Sequence, residues 1–230
     1  MLVIFIAGGS ASGKTELTKQ LLMQLNRHDI QCFSIKLDDY YKEIPDGVEL
    51  VQYKQTTNFD APSCLDFALL KKHILMLQDG ECIDKPVFDF KTERRVQVEL
   101  VSPPGVLLVE GTSSLLFANQ LKAELQQSYK VFLEVQQETL IKRRVARDVL
   151  ERGYADEESI LKKDSEYVRP TFLSLIEPSK NLADKVVDNN KSHTVTSEPH
   201  PLAIAAEEIV GLLLERQLLL KHFKQSAISQ

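Results

Sequence analysis

Short apolar runs alternate along the chain with segments in which apolar residues recur every three or four positions. The first run, residues 2–7, is continuous and rich in β-branched side chains, which is typical of a strand buried on both faces of a parallel sheet. Further strands are predicted at residues 30–37, 106–109, 131–135 and 186–187, and helices at residues 15–26, 64–77, 139–152 and 202–223. Strands that alternate with helices predict an α/β fold with a doubly wound parallel sheet.

Residues 81–101 interrupt this alternation. Two short segments in which apolar and polar residues alternate, residues 83–90 and 95–101, predict a β-hairpin inserted beside the parallel sheet. A length of 230 residues predicts a single domain over residues 1–230. The polar end of the chain, residues 224–230, is predicted to be a mobile tail.

Charge and cysteine content limit the classes of partner. The net charge of −5 argues against nucleic acid or an anionic membrane as the main partner. No stretch is long and apolar enough to span a bilayer, and the run at residues 2–7 lacks the basic flank of a signal peptide. The three cysteines, Cys32, Cys64 and Cys82, show no spacing typical of a disulfide framework or a zinc site. These features predict a cytoplasmic protein.

A glycine-rich segment separates the first predicted strand from the first predicted helix. It reads Gly8-Gly9-Ser10-Ala11-Ser12-Gly13-Lys14-Thr15 and matches the phosphate-loop pattern G-x-x-x-x-G-K-[ST]. Glycines allow successive backbone N–H groups to surround an anion, and the helix N-terminus adds partial positive charge. Lys14 is expected to contact the β- and γ-phosphates, and the Thr15 hydroxyl is expected to bind Mg²⁺. The segment therefore predicts binding of ATP or GTP with Mg²⁺.

A phosphate loop occurs in several classes of protein, so other motifs have to define the reaction. The N-K-x-D motif of GTPases and the LSGGQ-like signature of transporter ATPases are both missing from the sequence. Six other segments occur in a fixed order: Asp38-Asp-Tyr-Tyr41, Asn58-Phe-Asp60, Pro86-Val-Phe-Asp-Phe90, Glu110-Gly111, the basic stretch from Arg143 to Gly153, and Ile176-Glu-Pro-Ser-Lys180 with Ala183-Asp184.

With these motifs, residues 3–187 resemble the uridine kinase branch of the uridine kinase/phosphoribulokinase family. The resemblance implies a P-loop NTPase-type fold with a hairpin over the acceptor site and a helical lid at residues 138–168. It also implies ATP-dependent phosphorylation of the 5′-hydroxyl of uridine or cytidine, and a homo-oligomer.

The resemblance implies roles for three carboxylates. Asp38 matches the catalytic aspartate, which accepts the proton of the attacking hydroxyl and lies on the metal side. The residues alone do not decide whether Asp38 or its neighbour Asp39 faces the acceptor. Asp60 matches the aspartate that binds the ribose 2′- and 3′-hydroxyls, and Glu110 resembles a magnesium-side carboxylate. Without the resemblance, each acid also fits a simpler explanation as a helix cap, a turn residue or a charge at a strand end.

Aromatic and basic residues complete the implied site. Tyr41, Phe59, Phe88 and Phe90 are expected to line the acceptor pocket. Four arginines of the lid are expected to clamp the phosphates, with Arg144 and Arg147 catalytic and Arg143 and Arg152 binding the nucleotide. The alternative is a solvated helix stabilised by the i,i+4 pairs Glu138–Lys142 and Asp148–Arg152.

The chain departs from the family pattern where the base of the acceptor is bound. Phe88 replaces a tyrosine, Glu93 a histidine and Tyr154 an arginine, while Lys163 aligns with a glutamine that contacts the nucleoside. A carboxylate only accepts hydrogen bonds, so Glu93 predicts a preference for an amino-bearing base, cytidine over uridine. Alternatively, Glu93 pairs with Lys91, Arg94 or Arg95 at the hairpin tip.

Two other functions remain open from the sequence. The basic residues of the hairpin tip and Lys163 would also suit a related kinase whose acceptor is a phosphosugar, a vitamin precursor or another nucleoside. A non-catalytic regulator that binds ATP is the third reading. Function depends on the site rather than the fold, so the fold does not separate these three.

Overall fold

The computed structural model describes residues 1–151, 157–190, 200–216 and 218. Within these ranges the strands are β1 (Leu2–Gly8), β2 (Cys32–Lys36), β3 (Ile83–Asp89), β4 (Arg94–Val101), β5 (Val106–Glu110), β6 (Gln127–Glu134) and β7 (Lys185–Asp188). The α-helices are α1 (Lys14–Arg27), α2 (Leu50–Thr56), α3 (Phe67–Gln78), α4 (Ser114–Leu121), α5 (Gln137–Glu151), α6 (Glu157–Lys163), α7 (Arg169–Thr171) and α8 (Pro201–Glu215). Short 3₁₀ turns cover Leu37–Tyr40, Pro62–Cys64 and Pro178–Leu182, and π turns cover Asp164–Val168 and Phe172–Ile176.

Five parallel strands form the main sheet in the order β2-β5-β1-β6-β7, and β3 and β4 form a separate antiparallel pair. The side chains of β1 are fully buried and alternate between two cores. One set, Leu2, Ile4 and Ile6, packs with apolar residues of α1 and α8. The other set, Val3, Phe5 and Ala7, packs with apolar residues of α3 and α4. Helices on both faces of a parallel sheet confirm the predicted fold class.

Several predicted boundaries differ from the structure. The helix predicted from residue 64 begins at Phe67, because Cys64 belongs to a 3₁₀ turn and the Asp66 carboxylate caps the helix by accepting from the Leu69 N–H at 3.0 Å. The strand predicted at residues 30–37 ends at Lys36, where the next 3₁₀ turn begins. Helices α2 and α4 were not predicted, since both are short and α2 has no buried residue.

Some predictions fall outside the described residues. They concern Arg152, Tyr154 and the tail at residues 224–230. The helix predicted over residues 202–223 is shorter in the structure, because α8 ends at Glu215, with Arg216 as its C-cap. Among the residues that the structure does describe, no helix has the length and apolar character needed to cross a membrane.

The 3₁₀ turn after β2 is anchored by its last residue, Tyr40. Its side chain is fully buried, and its hydroxyl lies 2.9 Å from Nδ1 of His73 on α3. Burial raises the pKa of Tyr40, so the hydroxyl remains a donor. Burial, followed by the positive charges of Lys72 and Arg95, lowers the pKa of His73, so the neutral imidazole accepts this hydrogen bond.

This contact predicts a pH dependence of stability. Because the pKa of His73 is lower in the folded protein, the unfolded chain takes up its proton first as the pH falls below the ordinary value of 6.5. The free energy of unfolding should therefore fall more in the wild type than in His73→Gln between about pH 8 and about pH 5.5. The amide oxygen of the variant would still accept from Tyr40, and urea unfolding measures both proteins.

The control is His28→Gln, which changes an exposed histidine and should keep the wild-type pH dependence. Equal pH dependence in the wild type and in His73→Gln would contradict the prediction.

Candidate active site

The loop between β1 and α1 is the segment predicted to bind phosphate. Gly13 has a φ of 99°, a left-handed conformation that favours glycine, and a Cβ there would lie 2.7 Å from Nδ2 of Asn189. That amide donates to the backbone O of Ser12 at 2.9 Å. The loop is thus held from the residue that follows β7, and α1 presents its first backbone N–H groups at its end.

Lys14, the first residue of α1, is buried and folds back over this loop. Its Nζ donates to the backbone O of Gly8 at 3.1 Å and to that of Gly9 at 2.9 Å. Burial lowers the pKa of Lys14. Three nearby carboxylates oppose that shift of the pKa: Glu110, Asp38 and Asp60. The charges of all three acids singled out in the sequence therefore act on the same ammonium group.

Thr15 and Glu110 meet beside Lys14. Glu110 ends β5, opposite Ile6 of β1, and is 6% exposed. The Thr15 hydroxyl donates to Oε1 of Glu110 at 2.8 Å. Burial raises the pKa of Glu110, while Lys14 and the Thr15 hydrogen bond counteract this. A hydroxyl and a carboxylate oxygen at this distance fit Mg²⁺, which binds through one or two protein groups together with phosphate oxygens.

Asp38 and Asp39 lie in the turn after β2 but have different partners. Asp39 Oδ2 lies 2.9 Å from Nζ of Lys85 on β3, and its Oδ1 accepts from a backbone N–H of the same strand at 3.4 Å. The Lys85 side chain is 6% exposed, so this ion pair is largely buried. Asp38 is half-buried, and its charge acts on Lys14 and Glu110. Asp39 therefore joins the turn to the hairpin, and Asp38 is the acid that lies at the phosphate loop.

Aromatic side chains from four segments of the chain meet next to this turn. Tyr41 is central, with ring centroids 5.8 Å from Phe59, 5.5 Å from Phe88 and 6.0 Å from Phe90. Its hydroxyl donates to the backbone O of Phe59 at 2.9 Å. Tyr53 of α2 extends the group, 5.5 Å from Phe59. We call these five residues the aromatic cluster, and their ring faces suit a flat ligand.

The loop that carries Asp60 is connected to α7, which directly follows the lid. Asn58 Oδ1 accepts from the backbone N–H of Asp60 at 3.2 Å, and Asn58 Nδ2 donates to Oγ1 of Thr171 at 3.0 Å. Asp60 itself is half-buried, and its charge acts on Lys14. Asp60 thus directly follows Phe59 of the aromatic cluster and contributes negative charge to Lys14 of the phosphate loop.

Glu93 lies at the tip of the hairpin with a left-handed backbone, φ 53°, and is 4% exposed. Its Oε1 is 3.5 Å from Nζ of Lys54 on α2. Lys163 of α6 donates to the backbone O of Lys54 at 3.1 Å. Burial raises the pKa of Glu93, and Lys54 and Lys163 oppose that shift. Its Oε2 is buried and has no hydrogen-bond partner in the described part of the chain.

This arrangement corrects one of the sequence-based alternatives. Glu93 was expected either to face the base or to pair with Lys91, Arg94 or Arg95, but its ion pair is with Lys54. Arg94 and Arg95 have other partners: Arg94 Nη2 lies 3.7 Å from Oδ1 of Asp46, and Arg95 Nη2 lies 3.2 Å from Oδ2 of Asp66. The local sequence does not show this, because Lys54 belongs to α2 and precedes Glu93 by more than thirty residues.

Three arginines of the lid lie on α5: Arg143, Arg144 and Arg147. Arg147 Nη2 donates to Oγ of Ser10 in the phosphate loop at 3.3 Å, and the charge of Arg147 lowers the pKa of Lys14. Arg144 is buried rather than solvated, and Arg143 is half-buried. The structure therefore brings Arg147 to the phosphate loop, whereas Arg152 lies outside the described residues.

Sequence reasoning missed three residues that shape the site: Lys85, Lys54 and Asn189. Lys85 did carry a signal, because it is a charged residue on the face of β3 that also buries Ile83. Lys54 and Asn189 carried none, since α2 buries no residue and Asn189 simply follows a short strand.

Comparisons with known proteins agree with this geometry. Residues 3–196 match the phosphoribulokinase / uridine kinase family. A uridine kinase from Halalkalibacterium halodurans is 35% identical over 196 residues, which cover 84% of this chain and 89% of that protein. A uridine kinase from Vibrio cholerae is 36% identical over 189 residues, which cover 81% and 86%.

A solved structure supports the fold alone. Phosphoribulokinase from Rhodobacter spheroides superposes with a TM-score of 0.55 at 12% identity, over 86% of this chain and 75% of that one. The family match covers most of the sequence, and the uridine kinases match it over more than two thirds of their own length. The chain therefore belongs to the phosphoribulokinase / uridine kinase family and is a kinase.

Proposed function

We propose that this kinase transfers the γ-phosphoryl group of ATP to the 5′-hydroxyl of a pyrimidine nucleoside. One observation carries the proposal: the charges of Asp38 and Asp60 both act on Lys14, and each acid is close in sequence to a residue of the aromatic cluster, Tyr41 or Phe59. This supports two carboxylates suited to hydroxyl groups in a site that combines a phosphate loop with aromatic rings for a flat ligand.

The proposed reaction begins with the triphosphate on the loop of residues 8–15. Its oxygens would take the place of the Gly8 and Gly9 carbonyls as acceptors for Lys14. Thr15, Glu110 and Asp38 would hold Mg²⁺. When bound, the metal ion would neutralise negative charge on the phosphates.

On the acceptor side, Asp38 would orient the attacking hydroxyl and hold its proton. Phosphoryl transfer has a loose transition state, so the position of that hydroxyl matters more than the basicity of the carboxylate. Asp60 would accept from the ribose 2′- and 3′-hydroxyls. Arg144 and Arg147 would stabilise negative charge on the transferred phosphoryl group. Arg143 and Arg152 would bind the nucleotide.

The base would lie against the aromatic cluster, near Glu93 and Lys163. The named relatives support a nucleoside, since those described above are uridine kinases. Lys54 and Lys163 favour a second candidate, an anionic small alcohol such as a phosphosugar, because both cations lie next to each other near Glu93 at the hairpin tip. A homo-oligomer is part of the leading proposal on the family resemblance, and sedimentation would measure it.

The first prediction tests catalysis. Asp38→Asn should lower kcat for nucleoside phosphorylation by about 10²–10⁴-fold, because the amide cannot take the hydroxyl proton, while ATP binding changes little. A coupled ADP-release assay over uridine, cytidine, other nucleosides and phosphosugars measures the activity, and calorimetry measures ATP binding. Asp79→Asn, an exposed carboxylate at the end of α3, is the matched control and should behave as wild type.

The outcomes separate the candidates. Turnover of a phosphosugar but of no nucleoside would replace the leading proposal by the second candidate. A protein that binds ATP but transfers phosphate to none of these acceptors would support the non-catalytic regulator.

The second prediction concerns the base. The buried Oε2 of Glu93 lacks a hydrogen-bond partner in the described part of the chain and can only accept, so cytidine should be preferred over uridine. Glu93→Gln adds an N–H donor and should lower the cytidine-to-uridine ratio of kcat/KM by about tenfold. Glu81→Gln, an exposed change of the same kind before β3, should leave the ratio unchanged. Wild-type protein that uses uridine as well as cytidine would refute this prediction.

A further inference from the structure

Two carboxylates are buried among the lid arginines, and neither has a role in the proposed reaction. Asp148 lies on α5 with its side chain 2% exposed, and Asp164 begins the π turn after α6 with its side chain 7% exposed. A buried carboxylate is costly unless it is paired with positive charge and hydrogen-bonded. Their partners therefore indicate why the fold retains them.

Asp148 binds two arginines, one through each carboxylate oxygen. Arg144 Nε donates to Oδ2 at 3.3 Å. Arg147 Nε donates to Oδ1 at 2.8 Å, and its Nη2 lies 2.7 Å from the same oxygen. Because both Nε and Nη2 contact the same carboxylate oxygen, the guanidinium group of Arg147 is held in one orientation against Asp148.

The fixed guanidinium of Arg147 reaches the phosphate loop. Its Nη2 donates to the Ser10 hydroxyl at 3.3 Å, and its charge lowers the pKa of Lys14. A guanidinium has five N–H donors in a rigid plane, so one edge can bind Asp148 while other donors remain for a ligand. Arg147 is thus held with positive charge beside the place where phosphate is expected.

Arg144 is held in a similar way but keeps an open donor. Its Nη1 is buried, lacks a hydrogen-bond partner within the described residues, and lies 3.6 Å from Oδ1 of Asp164. Gly9 and Ser10 of the phosphate loop border the same pocket as Arg144. A buried donor without an acceptor, beside the phosphate loop, is suited to an anionic oxygen.

Asp164 extends this network to α7, which directly follows the lid. Arg169 donates to its Oδ2 from Nε at 3.3 Å and from Nη2 at 3.1 Å. A chain of ion pairs therefore connects α5 to the helical turns that follow α6, in the order Arg147, Asp148, Arg144, Asp164 and Arg169. Asp164 binds Arg144 only at the longer distance, so Asp148 is the main anchor of the two arginines.

We propose that Asp148 is a positioning residue that orients Arg144 and Arg147 toward the phosphate loop before the nucleotide binds. The inference rests on the proposed phosphate-binding role of these arginines, but not on the identity of the acceptor. Its physical basis is preorganisation, because arginines that are already oriented lose little freedom when a triphosphate arrives. The carboxylate also reduces the repulsion among Lys14, Arg144 and Arg147 in the empty site.

The test is ATP binding by Asp148→Asn in the full chain. An asparagine offers one acceptor oxygen and no charge, so at least one of the two arginines should lose its orientation. We expect the Kd for ATP to rise by about tenfold, while the Kd for AMP changes by less than about twofold, because the arginines act on the outer phosphates. Titration calorimetry measures both ligands without any acceptor, so failure of the nucleoside proposal does not affect the result.

A matched control and a double-mutant cycle distinguish positioning from a structural role. Glu166→Gln removes the same charge from an exposed position of the lid and should leave both Kd values unchanged. Arg147→Ala combined with Asp148→Asn should weaken ATP binding by clearly less than the product of the two single losses, because part of the effect of Asp148 passes through Arg147. Independent, multiplicative losses would overturn the proposal, as would wild-type ATP affinity in Asp148→Asn or an equal loss for ATP and AMP.

A second variant covers the case in which Asp148→Asn does not fold. Asp148→Glu keeps the buried charge but moves the carboxylate by one methylene group, which displaces both guanidinium planes. Its Kd for ATP should rise by about threefold with AMP unchanged. A Glu variant that binds ATP as wild type does would also overturn the proposal.

Discussion

The buried ammonium group of Lys14 is the constraint on which the arrangement of the site depends. A buried cation requires hydrogen bonds and negative charge nearby, and here the Gly8 and Gly9 carbonyls supply the first. Asp38, Asp60 and Glu110 supply the second, each from a different segment of the chain. Parallel strands make this convergence possible, because β1, β2 and β5 end at the same edge of the sheet.

The phosphate side of the site was predictable because one contiguous segment forms most of it. The loop of residues 8–15 carries its own glycines, lysine and threonine, and the buried strand before it has a clear apolar pattern. The sheet was predictable for the same reason, since each parallel strand is a short apolar run. Boundaries such as the start of α3 were missed because a side-chain cap at Asp66, rather than periodicity, determines them.

The acceptor side was less predictable because contacts between distant segments determine it. Which of the adjacent acids Asp38 and Asp39 lies at the phosphate loop depends on Lys85, a buried residue of the hairpin. Glu93 pairs with Lys54 of α2 rather than with a neighbour at the hairpin tip. The family resemblance located the same residues by position, yet it gave no information about these ion pairs, which are specific to the folded chain.

The left-handed backbone at Glu93 limits which residues can replace it. Glycine, asparagine and aspartate adopt such a conformation at low energetic cost, whereas β-branched residues are strongly disfavoured there. Any replacement that introduces a valine, isoleucine or threonine would have to rebuild the hairpin tip along with the side chain. The main chain therefore restricts which single substitutions evolution can use at this position, independently of the chemistry of the new side chain.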